Sequence, residues 1–224
     1  MERKYKLTDE CIQIIGHKLY RIQSLRSFSN VEEGELGGYI ESEDNLSHDG
    51  MCWVYDEAKV FGNAKVYNNA CVYGNAEVYG NAEVYGNAEV YNNACVYGIA
   101  EVFGNAEVLG KAEVFGNAEV YGNAKVLGDA KVCGNAKVYG KAEVRGDAKV
   151  YKNGDYIVFK NWWSSGRYFT WTRSNNKWKV GCFHGTGAKL IKKASEDSEL
   201  SGREYGRIVK YVDSILADEY AQKK

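Results

Sequence analysis

Small apolar residues recur every six positions between Cys52 and Asn153. The repeated unit has the form Ala-x-Val-Tyr-Gly-Asn and occurs seventeen times without an inserted or missing residue. Ala and Val stand two positions apart, so an extended backbone directs both side chains to one side and their neighbours to the other. The pattern predicts short strands whose Ala and Val side chains form one continuous core.

The residue after the aromatic position predicts a corner in each unit. It is Gly in thirteen units and Asn in two more, Asn68 and Asn92, and both residue types tolerate a positive φ. Three strands and three corners make the smallest closed coil, so three units should form one turn of a triangular prism. A short fixed period is typical of a solenoid, in which each coil bonds to its neighbours. Seventeen units therefore predict nearly six coils of a parallel β-helix.

The segments on either side of the repeat lack its period and predict caps. Residues 1–35 contain two alternating runs separated by Gly16-His17, which is typical of a β-hairpin. Residues 36–153 are assigned to the β-helix and residues 154–224 to a C-terminal α+β domain of three strands and two helices. A capping box from Ser201 to Glu204 is predicted at the start of the second helix. The predicted fold class is mainly β, with a parallel β-helix between a small β cap and an α+β cap.

Aromatic residues occupy the position after Val in thirteen of the seventeen units. One turn of three units places every third unit in one column, and the longest column consists of Tyr67, Tyr85, Phe103, Tyr121 and Tyr139. Rings one coil apart can stack and stabilise the prism. A row of exposed rings is also typical of an association surface. The column is therefore a candidate interface of a homo-oligomer, preferably a trimer, and a purely intramolecular ladder is the alternative.

The repeat resembles the hexapeptide pattern of left-handed β-helix proteins over a little under half of the chain. The run Gly-Gly-Tyr-Ile-Glu-Ser-Glu-Asp-Asn-Leu-Ser at residues 37–47, followed by Cys52-Trp53-Val54-Tyr55, resembles the opening of a bacterial and phage group. Members of that group are often labelled hexapeptide acyltransferases or polymer-forming proteins. Residues 159–171 resemble the C-terminal part of phage and prophage proteins from Gram-positive bacteria. The resemblance implies a left-handed coil and either acyl transfer or a structural rod.

Histidine bears most directly on the acyltransferase hypothesis. Acyltransferases of the resembled class generally use a histidine, often on a loop between coils, whereas the coils from Cys52 to Asn153 contain neither a histidine nor an inserted loop. His17 is predicted to be a solvated turn residue without a carboxylate partner, and His48 a surface residue of an irregular first coil. A non-catalytic protein is therefore favoured. Acyl transfer through His48 or His184 at a subunit cleft is the alternative, and a polymer-forming rod is the third hypothesis.

Charge and tryptophan content single out the C-terminal segment. The chain has a formal net charge of −1, but residues 154–224 hold thirteen basic and eight acidic side chains and four of the five tryptophans. Aromatic and cationic side chains on a small sheet can stack bases, clamp phosphates or anchor a protein partner. The candidate binding residues are Arg167, Trp171, Arg173, Trp178 and Lys179. Two alternatives stay open: the tryptophans form the core of the cap, or a Glu-rich belt on the coils is the docking surface.

Neither a cofactor nor a metal site is predicted. The six cysteines have the spacing of neither a zinc site nor a disulfide framework. No apolar run approaches the roughly twenty residues that cross a bilayer, and no apolar leader follows Met1, so a cytoplasmic protein without a membrane partner is expected. These observations favour a phage-type binding or inhibitor protein. Its expected partner is a host protein, nucleic acid or signalling molecule, and its expected role is antagonism of a host defence system.

Overall fold

The repeat folds into a parallel β-solenoid of about six turns. The computed structural model describes residues 3–222. Every Ala and Val of the repeat from Ala58 to Val150 is fully buried. Successive coils are offset by eighteen residues, because Val60 pairs with Val78 and Val78 with Val96. The predicted fold class and the register of the repeat are confirmed.

Short strands form the three faces of the prism, here called the rod. In chain order the strands of the N-terminal cap and the rod are β1 (Tyr5–Ile14), β2 (His17–Ser24), β3 (Leu36–Ile40), β4 (Trp53–Val54), β5 (Lys59–Val60), β6 (Lys65–Val66), β7 (Cys71–Val72), β8 (Glu77–Val78), β9 (Glu83–Val84), β10 (Glu89–Asn92), β11 (Cys95–Val96), β12 (Glu101–Val102), β13 (Glu107–Gly110), β14 (Glu113–Val114), β15 (Glu119–Val120), β16 (Lys125–Gly128), β17 (Lys131–Val132), β18 (Lys137–Val138), β19 (Glu143–Gly146) and β20 (Lys149–Val150). The first face holds β3, β5, β8, β11, β14, β17 and β20, the second holds β4, β7, β10, β13, β16 and β19, and the third holds β6, β9, β12, β15 and β18.

The N-terminal cap extends the first face of the prism. Strands β1 and β2 form the predicted antiparallel hairpin, and β3 pairs antiparallel with β2 and parallel with β5. The strand β3 therefore joins the two kinds of sheet. Leu46, which the hexad spacing places in the core register, is fully buried and bridges to Val66.

The C-terminal cap is a four-stranded antiparallel sheet covered by two helices. Its elements are β21 (Tyr156–Lys160), β22 (Tyr168–Thr172), β23 (Lys177–Val180), β24 (Phe183–Gly185), α1 (Gly187–Asp197) and α2 (Glu199–Gln222). The sequence predicted three strands, and β24 was missed because it is only three residues long. The predicted capping box is wrong: α2 begins two residues before Ser201, whose backbone N–H donates to the Ser198 hydroxyl at 3.1 Å.

The two caps satisfy opposite ends of the backbone ladder. Rod N–H groups at alternate positions donate to carbonyls of the next coil, as from Lys59 N to Ala76 O and from Phe61 N to Val78 O. The corresponding carbonyls of the first coil and N–H groups of the last coil therefore need partners from the caps. The N-terminal cap supplies donors: Lys4 Nζ to Cys52 O at 2.9 Å and Tyr5 OH to Leu46 O at 2.6 Å. Burial of the Lys4 amine lowers its pKa.

The C-terminal cap supplies acceptors for the N–H groups of the last coil. Thr170 Oγ1 accepts from Glu143 N at 2.9 Å, Ser174 Oγ from Lys149 N at 2.6 Å, and Asn153 Oδ1 from Lys137 N at 2.8 Å. Buried backbone groups are costly when they lack a partner. Both caps are therefore part of the solenoid's hydrogen-bond network and do not merely adjoin it.

Candidate recognition site on the C-terminal cap

A short loop of residues 161–167 joins β21 to β22 and is held by one buried side chain. Asn161 Nδ2 donates to Ser164 Oγ at 2.9 Å and to Tyr205 OH of α2 at 3.1 Å, while Asn161 Oδ1 accepts from Ser164 N at 2.9 Å. The Asn161 backbone N–H also bonds to the carbonyl of Arg167 at 2.8 Å. These contacts close the loop and fix it to helix α2.

The two neighbouring tryptophans of the 161–167 loop differ in burial, because Trp163 is half-buried and Trp162 is exposed. Trp163 packs edge-on against the ring of Tyr205, with centroids 4.8 Å apart. Trp162 is 73% exposed, and its one ring contact within the described chain is the edge of Trp163 at 5.9 Å. Tryptophan is enriched at the energetic centres of interfaces, so an exposed indole on an anchored loop is a candidate contact residue.

Arg167 ends the loop, and its side chain is exposed. Its guanidinium lies beside Gly181, because a Cβ added to that glycine would stand 3.0 Å from Arg167 Nη1. Concave surfaces of about 390 and 370 Å³ flank Arg167; Lys125 and Lys141 line the first, and Lys193 lines the second. Their acidic lining residues are Glu143, which pairs with Lys179 at 3.3 Å, and Asp197. The surface around Arg167 is therefore predominantly cationic.

Four of the five binding residues predicted from sequence have structural roles in the cap. Trp171 and Trp178 are 0% and 1% exposed and form the core beneath the helices. Lys179 is buried against Glu143 and the carbonyl of Gly181. Arg173 donates to Glu219 of α2 at 3.0 Å and to the carbonyl of Gly154 at 3.2 Å. Helices α1 and α2 cover the face of the sheet that carries Trp171 and Trp178, and Lys179 lies on the opposite face against Glu143 of the rod. These four side chains are therefore corrected to structural residues.

Arg167 is the predicted binding residue that remains on the surface, and the exposed Trp162 was not among the predicted residues. The sequence places Trp162 and Trp163 side by side in a segment without a clear period. Which of the two points outward depends on Tyr205, which lies about forty residues further along the chain. Strand alternation carried no information about this loop.

The predicted aromatic column is present on the rod. The rings of Tyr67, Tyr85, Phe103, Tyr121 and Tyr139 stack in order, with centroid distances of 4.8 to 5.3 Å. All but Tyr139 are half-buried. The stacked geometry gives each ring an intramolecular role, and participation in an oligomer interface stays a prediction.

Tyrosine hydroxyls and lysines compensate the Glu-rich belt of the rod. Tyr67 OH donates to Glu83 Oε2 at 2.8 Å, and the same contact recurs from Tyr85 to Glu101 at 2.7 Å. At the C-terminal end of the belt the Glu119 carboxylate pairs with Lys137 at 2.7 Å. These contacts favour a solvated structural surface over an anionic docking site.

The three histidines lie in the caps and the first coil and do not converge. His17 Nδ1 lies 2.9 Å from Glu41 Oε1, so the predicted absence of a carboxylate partner is wrong; this hydrogen bond is the main cause that lowers the pKa of Glu41. His48 is not a free surface residue: its ring stacks on Tyr5 at 4.3 Å and accepts from the Lys4 backbone N–H at 3.2 Å. His184 packs on Gly146 of the last coil, and burial lowers its pKa.

Comparisons with known proteins gave no relatives. No protein-family model matches the sequence, and no curated protein matches it. Within residues 3–222 no group of three or more His, Cys, Asp or Glu side chains could hold a metal ion, and the six cysteines are free. No helix in the described part of the chain has the length and apolar content to span a membrane.

Proposed function

We propose that the chain is a non-catalytic binding protein, in which the capped rod is a rigid scaffold and the 161–167 loop recognises a partner protein. The observation that carries the proposal is that one short loop, anchored by Asn161, exposes both the indole of Trp162 and the side chain of Arg167. An ordered loop loses little conformational freedom on binding, so its contacts contribute more fully to affinity. Tryptophan and arginine are also the residues that most often dominate interface energies.

The biological setting is proposed from the resemblance to phage and prophage proteins. On that basis the coil is a left-handed hexapeptide helix, the partner is a host protein with an acidic, aromatic-accepting surface, and binding blocks a host defence component. The cationic surface around Arg167 supports an acidic partner. A polymer-forming rod is less well supported, because both ends of the backbone ladder are closed by cap side chains.

Capture from a bacterial lysate by immobilised wild-type and variant chains tests the proposal. We expect Trp162→Ala and Arg167→Glu each to abolish capture of a specific band, because each truncation of a true anchor costs about 2 kcal/mol or more. Tyr211→Ala and Lys192→Glu are matched controls, since both residues lie exposed on the cap helices away from the loop. Arg173→Glu is unsuitable, because it would break the contact with Glu219. A band that both loop variants still retain at full strength would place recognition elsewhere.

Acyl transfer is a second candidate that the His17–Glu41 pair favours, since a carboxylate at 2.9 Å can orient an imidazole base. We expect no thiol release from acetyl-coenzyme A with amine or hydroxyl acceptors. Turnover that is lost in His17→Ala, His48→Ala or His184→Ala would show that the protein is an enzyme.

A further inference from the structure

The C-terminal cap leaves one corner of the last coil uncovered. The Tyr151 carbonyl lies over Gly134 and the His184 ring over Gly146, whereas a Cβ built on Gly140 would meet no atom within 4 Å. In earlier coils the corresponding glycines lie against the backbone of the next coil. The corner at Gly140 is therefore where the end of the rod opens to solvent within residues 3–222.

The aromatic column ends at this open corner. Tyr139 stacks on Tyr121 with centroids 5.3 Å apart and planes inclined by 11°, and no other ring of the described chain contacts it. Tyr139 is 49% exposed, more than the other rings of its column. A cleft of about 390 Å³ adjoins it, and its walls come from the last coil and the cap sheet; the lining residues are Tyr139, Gly140, Lys141, Asn153, Tyr156, Ile157, Val158 and Tyr168.

Lys141 is the charged residue that lines this cleft, and Lys160 lies near its Tyr168 wall. Lys141 Nζ lies 5.0 Å from the centroid of the Tyr168 ring, and Lys160 Nζ lies 5.8 Å from the same centroid. Neither ammonium has a carboxylate within 4 Å in the described chain. The cleft thus combines the uncovered face of Tyr139, the exposed ring of Tyr168 and the ammonium of Lys141, and the ammonium of Lys160 lies near the Tyr168 ring.

We propose that this cleft, here called the Tyr139 cleft, binds a mononucleotide. The base would stack on Tyr139 as the next ring of the ladder, and the phosphate would contact Lys141 and Lys160. Stacking on an aromatic side chain is favourable for any base, and an ammonium near the phosphate adds charge attraction. The volume suits a ligand of one nucleotide. This binding activity goes beyond the proposed function, because the base platform is Tyr139 and the ligand is a nucleotide, although Lys141 also lines the surface beside Arg167.

Calorimetric titration of the full chain with adenosine monophosphate, adenosine triphosphate, adenosine and inorganic phosphate tests the proposal. We expect both nucleotides to bind saturably with dissociation constants below about 1 mM. Adenosine lacks the phosphate and phosphate lacks the ring, so each should bind roughly tenfold more weakly or worse.

Two substitutions to residues that already occur at the same repeat positions test the roles of Tyr139 and Lys141. Tyr139→Leu removes the ring, and leucine already occupies the same repeat position at residues 109 and 127; Lys141→Asn restores the usual asparagine of the repeat. Each should weaken nucleotide binding roughly tenfold. Tyr85→Leu and Lys111→Asn make the same changes at equivalent positions away from the cleft and should leave binding unchanged.

Three results would overturn the proposal. They are the absence of saturable nucleotide binding up to about 1 mM, equal losses in the cleft and control variants, and tighter binding of a single-stranded oligonucleotide through the same residues. The last result would assign the cleft to nucleic acid. If the chain does not bind nucleotides, capture of a partner through Trp162 and Arg167 is unaffected. If the Trp162 and Arg167 variants lose capture, nucleotide binding should remain. The two hypotheses can therefore be tested separately.

Discussion

Corner glycines meet two separate constraints in this fold. The first is backbone conformation: Gly86 has a φ of +74° and Gly140 a φ of +69°, a region that costs other L-residues energy. The second is contact between coils, because a Cβ on Gly86 would stand 2.9 Å from the backbone nitrogen of Gly104. Asn68 and Asn92 occupy the same corner position at positive φ. The backbone conformation of the corner therefore accepts asparagine as well as glycine.

Alanine substitutions at two corners separate these constraints. We expect Gly140→Ala to lower the free energy of unfolding by about 1 kcal/mol, because the backbone conformation alone is penalised. Gly86→Ala should cost more than about 2 kcal/mol, because the next coil must also move. Urea unfolding of both variants beside the wild type measures the difference, and equal losses would show that the contact between coils is unimportant.

Tyrosine ionisation should make the rod sensitive to alkali. Burial, with the nearby Glu107 carboxylate, raises the pKa of Tyr91 from 10.0 to about 12. Between pH 10 and 12 the unfolded phenol loses its proton while the folded phenol keeps it, so the free energy of unfolding falls as pH rises. Tyr91→Phe removes this contribution and should show a shallower loss in urea titrations above pH 10. Parallel curves for the two proteins would exclude a raised pKa at Tyr91.

The strands of the rod leave unpaired backbone groups at its two ends, and the caps supply their partners. Rod N–H groups such as those of Lys59 and Phe61 donate to the next coil, so the carbonyls of the first coil and the N–H groups of the last coil that would continue this pattern need partners from the caps. An ammonium and a phenol supply donors at the first coil, and hydroxyl, amide and carboxylate oxygens accept at the last. A cap with the opposite polarity would leave the edge groups without partners.

Removal of one cap acceptor tests this polarity. Thr170 is buried, and its hydroxyl accepts the Glu143 backbone N–H at 2.9 Å. Thr170→Val keeps the shape but leaves that donor unpaired, so the free energy of unfolding should fall by about 1–3 kcal/mol. Thr170→Ser keeps the hydroxyl, so it should lower the free energy of unfolding by less than half as much. Similar losses in both variants would mean that packing of the methyl group, and not the hydrogen bond, is responsible.

The whole molecule is a rod whose ends are closed and whose sides are repetitive. Closed ends remove the free strand edges through which coils could add to one another. The sides present a column of half-buried rings whose hydroxyls bond to neighbouring carboxylates. Any self-association is therefore expected to be lateral, with flat faces packing around a rotation axis.

Light scattering after size exclusion measures this self-association. We expect a discrete homo-oligomer, with a trimer preferred, that does not grow into filaments as concentration rises. Phe103→Lys places a charge in the middle of the column and should shift the distribution towards the monomer, while circular dichroism reports whether the rod stays folded. A wild-type monomer at tens of micromolar would confine the column to its intramolecular role.

The six-residue period determined the rod because each residue there has the same environment in every coil. Whether Ala and Val face inward, where the corners lie and which rings stack all follow from local spacing. Contacts between coils join residues eighteen positions apart, which is the length of three six-residue repeats.

Only the tertiary structure decided the surfaces of the C-terminal cap. The sequence identified Trp171 and Arg173 as candidate binding residues, but it could not reveal that α1 and α2 cover that face of the sheet. The outward turn of Trp162 and the uncovered corner at Gly140 likewise depend on where distant elements pack. These contacts join segments without a shared period, so the spacing of residues along the chain does not encode them.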